Sequence, residues 1–179
     1  MSGGGLDSQY IDKFIESVPF FKEFSEHEKR KITGDKNNFK QYEKNLNIFK
    51  EGDEGHSLFV ILFGTIDFIK LCDGADIQDG RVSVKGCGEK ERVLCELESG
   101  SVFGVISMLT GRKRSVTTRV SSEKAVVMEI TEKFVDSLIP SIQVKFHKQL
   151  LLALIQDLDD MDIRYLKLQD SINKGSSSS

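Results

Sequence analysis

What is scarce in these 179 residues narrows the field before any motif is read. The three cysteines, Cys72, Cys87 and Cys95, are odd in number and none stands in a C-x-x-C spacing. Neither a disulfide framework nor a zinc site is expected, and the thiols are read as reduced. Three histidines have no motif around them, and no Ser/His/Asp set, paired-acid signature or P-loop occurs at workable spacing, which argues against an enzyme. No run of about 18 apolar residues exists to span a bilayer. Met1-Ser2-Gly3-Gly4-Gly5 lacks the apolar core of a signal peptide, so a cytoplasmic chain with no membrane partner is expected. A basic excess is missing too. With a net charge of −3 and a pI near 5.7, a general nucleic-acid binder is excluded, because that role needs a cationic face against phosphates.

A hydrophobic content of 39% is enough for one core. Tyr10, Phe14, Ile15, Val18, Phe20, Phe21 and Phe24 recur at mixed three- and four-residue spacings, and Pro19 interrupts them, which predicts two short helices. Ser25 followed by Glu28 predicts a capping box for the second, with Gly34 as its stop. From Phe39 to about Met128 the pattern changes to short Val/Ile/Phe/Leu runs separated by Gly, Asp and Asn, the signature of antiparallel β structure. Ser57–Phe63 and Thr65–Leu71 read as largely buried strands. In Glu51-Gly52-Asp53-Glu54-Gly55 two glycines are expected at positive φ, with carboxylates bonded to nearby amides. The spacing of a calcium loop is absent there, and no metal is expected. Residues 72–92 read as an extended hairpin or flap.

The stretch Gly100–Val120, GSVFGVISMLTGRKRSVTTRV, carries the densest chemistry. Gly104 allows a sharp turn into a short helix whose first amides favour an anion, and Arg112, Lys113 and Arg114 gather just beyond it. The same residues also describe an ordinary turn followed by a solvated basic loop.

After Pro140, Val144, His147, Leu151, Leu154, Leu158, Met161, Tyr165, Leu168 and Ile172 alternate spacings of three and four, which predicts a coiled-coil seam and a homodimer. Leu150, Leu152 and Ile155 favour packing of the first turns on the chain's own β domain. Asp157 and Asp162 bring like charges to flanking positions of a parallel pair.

Two short helices, a β core carrying FKEGDEGHSLFVILFGTI, the segment FGVISMLTGRKRSV and a long terminal helix together resemble the cyclic nucleotide-binding domain family, of the catabolite-activator and kinase regulatory-subunit type. The resemblance covers roughly Phe14 to Asp170, and Gly52-Asp53-x-Gly55 followed by Leu58-Phe59-Val60-Ile61 and Gly64 is its most specific part. It implies an α+β fold: an antiparallel β jelly-roll-like barrel flanked by short N-terminal helices and a long C-terminal helix. The division is then residues 1–8 as a disordered N-terminus, 9–140 as the barrel domain with its helices, 141–173 as a dimerisation helix and 174–179 as a flexible tail.

The family's phosphate-binding cassette maps onto Phe103, Gly104, Val105, Ile106, Ser107, Arg114 and Ser115, with Arg114 implied as the phosphate-binding cation. Val105 departs from the pattern, since the family places there a glutamate that takes the ribose 2′-hydroxyl and valine accepts no hydrogen bond. An unmet hydroxyl costs about 1–3 kcal/mol. Val116 replaces a second small residue. Arg112 and Arg119 are candidate additional phosphate contacts, with Lys113 beside them, which brings cyclic di-GMP into view next to cyclic AMP and cyclic GMP. The resemblance implies a stand-alone sensor that relays a cyclic (di)nucleotide through the C-terminal helix. The alternative is a ligand-independent interaction or scaffold module that docks a protein partner. No DNA-binding element follows the long helix, so no DNA partner is expected.

Overall fold

Side chains alternate across a strand, so a run that is apolar at nearly every position, such as Ser57–Phe63, demands cover on both faces. The computed structural model describes residues 8–72, 75–78, 81–84 and 90–176. Helices α1 (Ser8–Ser17) and α2 (Glu26–Thr33) precede the strands β1 (Phe39–Glu43), β2 (Asn47–Phe49), β3 (Ser57–Phe63), β4 (Ile66–Cys72), β5 (Ala75–Gln78), β6 (Arg81–Val84), β7 (Lys90–Leu97) and β8 (Val102–Phe103). Then come α3 (Val105–Thr110), β9 (Thr117–Val120), β10 (Lys124–Thr131), α4 (Glu132–Ser137) and α5 (Pro140–Ser176). One sheet runs β1-β10-β3-β8, a second β2-β9-β4-β7, all neighbours antiparallel, and β5-β6 pair as a separate hairpin. The α+β class and jelly-roll-like layout are as expected, with the two four-stranded sheets left open rather than closed into a ring.

The first sheet is the wall between two cores. Leu58, Val60 and Leu62 of β3 and Val126, Met128 and Ile130 of β10 face the helices and join Phe20, Phe21, Ile32, Ile142 and Phe146. The alternate residues Phe59, Ile61, Ala125 and Val127 face the second sheet and meet Ile66, Phe103 and Val120. Among the described residues, the second sheet joins a core cluster on one side. That corrects the expectation of a buried Thr65–Leu71: Ile66 and Ile69 are buried, whereas Leu71 is exposed. A register shift between Phe68 and Ile69 in the pairing with β7 accompanies the uneven spacing of the two buried isoleucines.

The expected flap at 72–92 contains the β5-β6 hairpin, Ala75 opposite Val84 and Gln78 opposite Arg81. Gly74, Gly80, Gly86 and Gly88 lie outside the described residues, as do residues 1–7 and 177–179. Helix α5 continues past Asn173 to Ser176, into the stretch read as a tail. Among the described residues, no helix is long and apolar enough to cross a membrane.

Helix α2 begins at the predicted capping box, Ser25 Oγ accepting from Glu28 N and Glu28 Oε2 accepting from Ser25 N at 2.7 Å. Glu28 also receives Lys145 Nζ of α5 on both oxygens, at 2.9 and 2.7 Å, which ties the N-terminal helices to the long one. Donation from Lys145, and then from Ser25 N, holds the Glu28 carboxyl at about 2, down from the usual 4.5. A depressed folded-state value gives stability that is complete above the unfolded value and drains as pH falls from about 4.5 to about 2. Glu28→Gln is expected to flatten the acid limb of a urea-midpoint titration across that window; an unaltered limb would remove the carboxylate from the account.

Candidate functional site

Arg114 joins two motifs that lie far apart in sequence. In the turn after β2, Gly52 adopts φ +86°, Gly52 N donates to Arg114 O at 2.9 Å, and Arg114 N donates to Asp53 O at 2.8 Å. The Asp53 carboxylate closes that turn by accepting from Lys50 N at 2.8 Å. Lys70 Nζ bonds Ser115 O at 2.9 Å and pairs with Glu51, so the segment after α3 is fastened on both sides.

With its backbone pinned, the Arg114 side chain runs inward and is only 5% exposed. Nη1 donates to Gly104 O at 3.1 Å, and Nη2 donates to Ser57 O at 2.8 Å and Ser57 Oγ at 3.3 Å. The guanidinium carbon lies 4.2 Å from the Phe49 ring centroid and 5.6 Å from that of Phe59, within cation–π range. Phe59 in turn stacks on Phe103 at 5.2 Å. Nε is buried without a partner. Burial pushes the Arg114 pKa down, and the charges of Glu129 and Asp53 oppose that. Ser57 Oγ donates onward to Glu129 Oε1 at 2.8 Å, and Lys40 pairs with the other Glu129 oxygen. The guanidinium's own hydrogen bonds are thus all to neutral oxygens, the condition in which a buried cation is costly and an arriving anion stabilising.

Glycines make room for this side chain. The expectation of two positive-φ glycines in the Glu51–Gly55 turn is corrected: Gly52 is one, and Gly55 has an ordinary φ. A Cβ on Gly55 would stand 2.6 Å from both Arg114 Nε and Ser107 Cβ, so closeness is what excludes a larger residue. Gly104 has both reasons, φ +80° and only 2.5 Å from a notional Cβ to Arg114 Nη1. Gly55→Ala is expected to destabilise the chain by about 1–3 kcal/mol through overpacking alone. Gly52→Ala, with nothing within 4 Å, should cost about 1–2 kcal/mol through backbone strain alone. Thermal melts give both values, and anion binding separates the two variants: Gly55→Ala, whose Cβ would displace the guanidinium, should weaken it, and Gly52→Ala should not.

A cavity of about 890 Å³ opens beside this arrangement. All seven sequence-derived ligand residues, Phe103, Gly104, Val105, Ile106, Ser107, Arg114 and Ser115, line it, and so does Val116. They are not equivalent. Phe103 and Val105 are buried, Val105 within the helix-side core, while Ile106 is 61% exposed and Ser107 is buried against the arginine cage. Helix α5 supplies another part of the lining through Gln149, Leu152, Leu154, Asp157, Leu158 and Met161. A smaller cavity of about 370 Å³, bordered by Asp53, His56, Ser57 and Glu129, also reaches Arg114.

Arg112 and Lys113 are exposed, and neither they nor Arg119 border the larger cavity. Arg119 forms a bidentate pair with Glu91, at 2.6 and 2.7 Å, and its Nε donates to Asn47 at 3.0 Å. Of the seam residues, Leu151, Leu158, Met161 and Tyr165 are exposed, Leu154 packs partly on the helix-side core, and the Leu168 side chain lies outside what is described. Sequence reading did not bring Phe49, Phe59, Ser57 or Gln149 to the site. The aromatic and serine contacts arise from pairing between distant strands, and only the fixed Gly52–Gly64 spacing pointed near them.

The chain belongs to the cyclic nucleotide-binding domain family, whose sequence signature, described as "Cyclic nucleotide-binding domain", matches residues 39–141. It is similar to a cAMP-dependent protein kinase regulatory subunit of Eremothecium gossypii, 25% identical over 126 residues that make up 70% of this chain and 23% of that protein. The chain thus spans under a quarter of that relative's length. A cyclic nucleotide-binding domain from Methylobacillus flagellatus KT matches with a TM-score of 0.66 at 21% identity, over 89% of this chain and 82% of the other. The catabolite activator protein of Thermus thermophilus matches with 0.61 at 20%, over 85% and 63%. These two likenesses speak for the fold alone.

Proposed function

We propose that the chain is a regulatory module that binds a cyclic nucleotide in the cavity beside Arg114 and passes its occupancy to α5. One observation carries the reading: a guanidinium buried among neutral oxygens, with one donor unmade, on the wall of a cavity whose volume suits a small ligand. An anion there gains a charge-assisted partner and relieves the buried cation. A single phosphate fits better than two, because Arg119 is held by Glu91 and Arg112 and Lys113 stand away from the cavity. That favours cyclic AMP or cyclic GMP over cyclic di-GMP, and the cAMP-dependent relative supports the first. Valine at 105 predicts binding weaker by one to two decades than a site with the ribose acceptor would give. Calorimetry with the three nucleotides, at tens of micromolar protein, tests this; no heat with any of them would reject it.

A second reading, a module that docks a partner whether or not nucleotide is present, is favoured by Val105, whose side chain belongs to the helix-side core and offers no acceptor. In either case the exposed Leu151, Leu158, Met161 and Tyr165 suit pairing of α5 with a second copy. Sedimentation of the chain with and without cyclic AMP separates the readings: the regulatory module changes its association with ligand, and the constitutive one does not.

A further inference from the structure

Arg112 and Lys113 are the part of the basic run that the ligand cavity does not account for. Both are exposed, neither borders the larger cavity, and neither enters a salt bridge or a side-chain hydrogen bond with the described residues. They stand immediately ahead of a hydroxyl, in the order Arg112-Lys113-Arg114-Ser115. Cations at the positions just before a serine form the charge pattern that a kinase with an acidic substrate groove selects.

Three features of the fold single out this hydroxyl. Residues 111–116 lie between the end of α3 at Thr110 and the start of β9 at Thr117 and belong to neither, so the segment has the irregular form in which chains are open to modifying enzymes. Ser115 is exposed, whereas Arg114 beside it is buried. The Ser115 carbonyl accepts from Lys70 Nζ at 2.9 Å, and its Oγ has no hydrogen-bond partner among the described residues. Two other hydroxyls that follow cations fail these conditions. Thr33, behind Arg30 and Lys31, is the last residue of α2 and half-buried. Ser121, behind Arg119, donates to Glu96 Oε2 at 2.8 Å, while Arg119 is held by Glu91.

We propose that Ser115 is a phosphorylation site for a serine kinase selective for basic segments, and that the modified residue closes the cavity to anionic ligands; the closure rests on the cyclic-nucleotide reading above. In the transfer, Ser115 Oγ forms a bond to the γ-phosphorus of a nucleoside triphosphate and the bond from that phosphorus to its bridging oxygen breaks. The nucleoside diphosphate leaves with the electron pair, and the hydroxyl proton passes to the kinase's base. Ser115 lines the larger cavity next to Arg114 in sequence, and a phosphoserine there carries about −1.5 to −2 charges and three acceptor oxygens. An arriving phosphate meets that charge at short range and is repelled. Arg112 and Lys113 then serve twice, drawing the kinase before the transfer and offering cations to the phosphate after it.

The test incubates the folded full chain with a purified kinase of this selectivity and radiolabelled ATP, maps the product by mass spectrometry, and titrates modified and unmodified chain with cyclic AMP. A single phosphate at Ser115 is expected, absent from Ser115→Ala and incorporated at least about tenfold more slowly in the double variant Arg112→Gln, Lys113→Gln. Cyclic AMP binding is expected to be at least about tenfold weaker in the modified chain. No incorporation, incorporation only after unfolding, or a phosphate at Thr33 or Ser121 in place of Ser115 overturns the site. Equal affinity of modified and unmodified chain overturns the closure and leaves the cyclic-nucleotide reading intact. If the unmodified chain binds no cyclic nucleotide, the closure falls with that reading, and the phosphate map alone decides the site.

Discussion

Arg114→Ala is expected to weaken cyclic-nucleotide binding by at least about a hundredfold. Two charge-assisted hydrogen bonds to a phosphate contribute roughly 1.5–3 kcal/mol each, and their sum sets that scale. The folded state is affected in two opposing ways. Alanine removes a buried cation, which is favourable, but it strips Gly104 O and Ser57 O of their donor and empties the cage formed by Gly55, Gly104, Phe49 and Phe59. Two orphaned carbonyls at about 1–3 kcal/mol each outweigh the relief, so a net loss of stability is expected. Arg114→Lys separates charge from shape. A lysine keeps the positive charge and lacks the planar fork that meets Gly104 O and Ser57 O together, so intermediate affinity is expected. Calorimetry reads both variants, and equal affinity in all three chains would remove Arg114 from the site.

The second large effect concerns stability. Phe146 is fully buried, meets Phe20 edge-on at 5.2 Å and sits between Ile142 and Leu150 on the face of α5 that covers the first sheet. Phe146→Ala is expected to cost about 3–5 kcal/mol, the range for a truncated core phenylalanine. Against a total of roughly 5–15 kcal/mol this is a large share, and for a chain of this size it lowers the melting temperature by about 6–20 °C. Val144→Ala, on the exposed side of the same helix, is the control and should be near neutral. Because α5 also lines the cavity, Phe146→Ala should weaken the ligand without touching it. A small shift in melting temperature would mean that α5 contributes little to the core.

How much of this was legible in advance follows from the range of each interaction. The capping box at Ser25 and Glu28, the break at Pro19 and the sharp turn at Gly104 into α3 are local patterns, and each was readable. Gly55 was readable as a glycine but not for its reason, since a close approach to Arg114 depends on a partner 59 positions away, while φ is a local property. Arg119 read as a candidate phosphate contact because Glu91, on another strand of the same sheet, becomes its neighbour only once β9, β4 and β7 are laid side by side. Gln149 escaped notice because a polar residue in an amphipathic helix defaults to the wet face. Its burial depends on the depth of the groove beneath it. The lesson from Thr65–Leu71 is similar: apolar content alone does not tell a sheet covered twice from one covered once.

Strands β3 and β10 belong to both cores, and this sets how the chain comes apart. A layer that serves two hydrophobic interiors cannot lose one without exposing its reverse face, so the helical cover and the second sheet have no independent route to unfolding. A single melting transition is therefore expected for the pair. The same sharing ties mutational tolerance to residue parity: at Leu58, Val60 and Leu62 the helices set the acceptable volume, and at Phe59 and Ile61 the opposite sheet sets it, so neighbouring positions of one strand answer to different constraints.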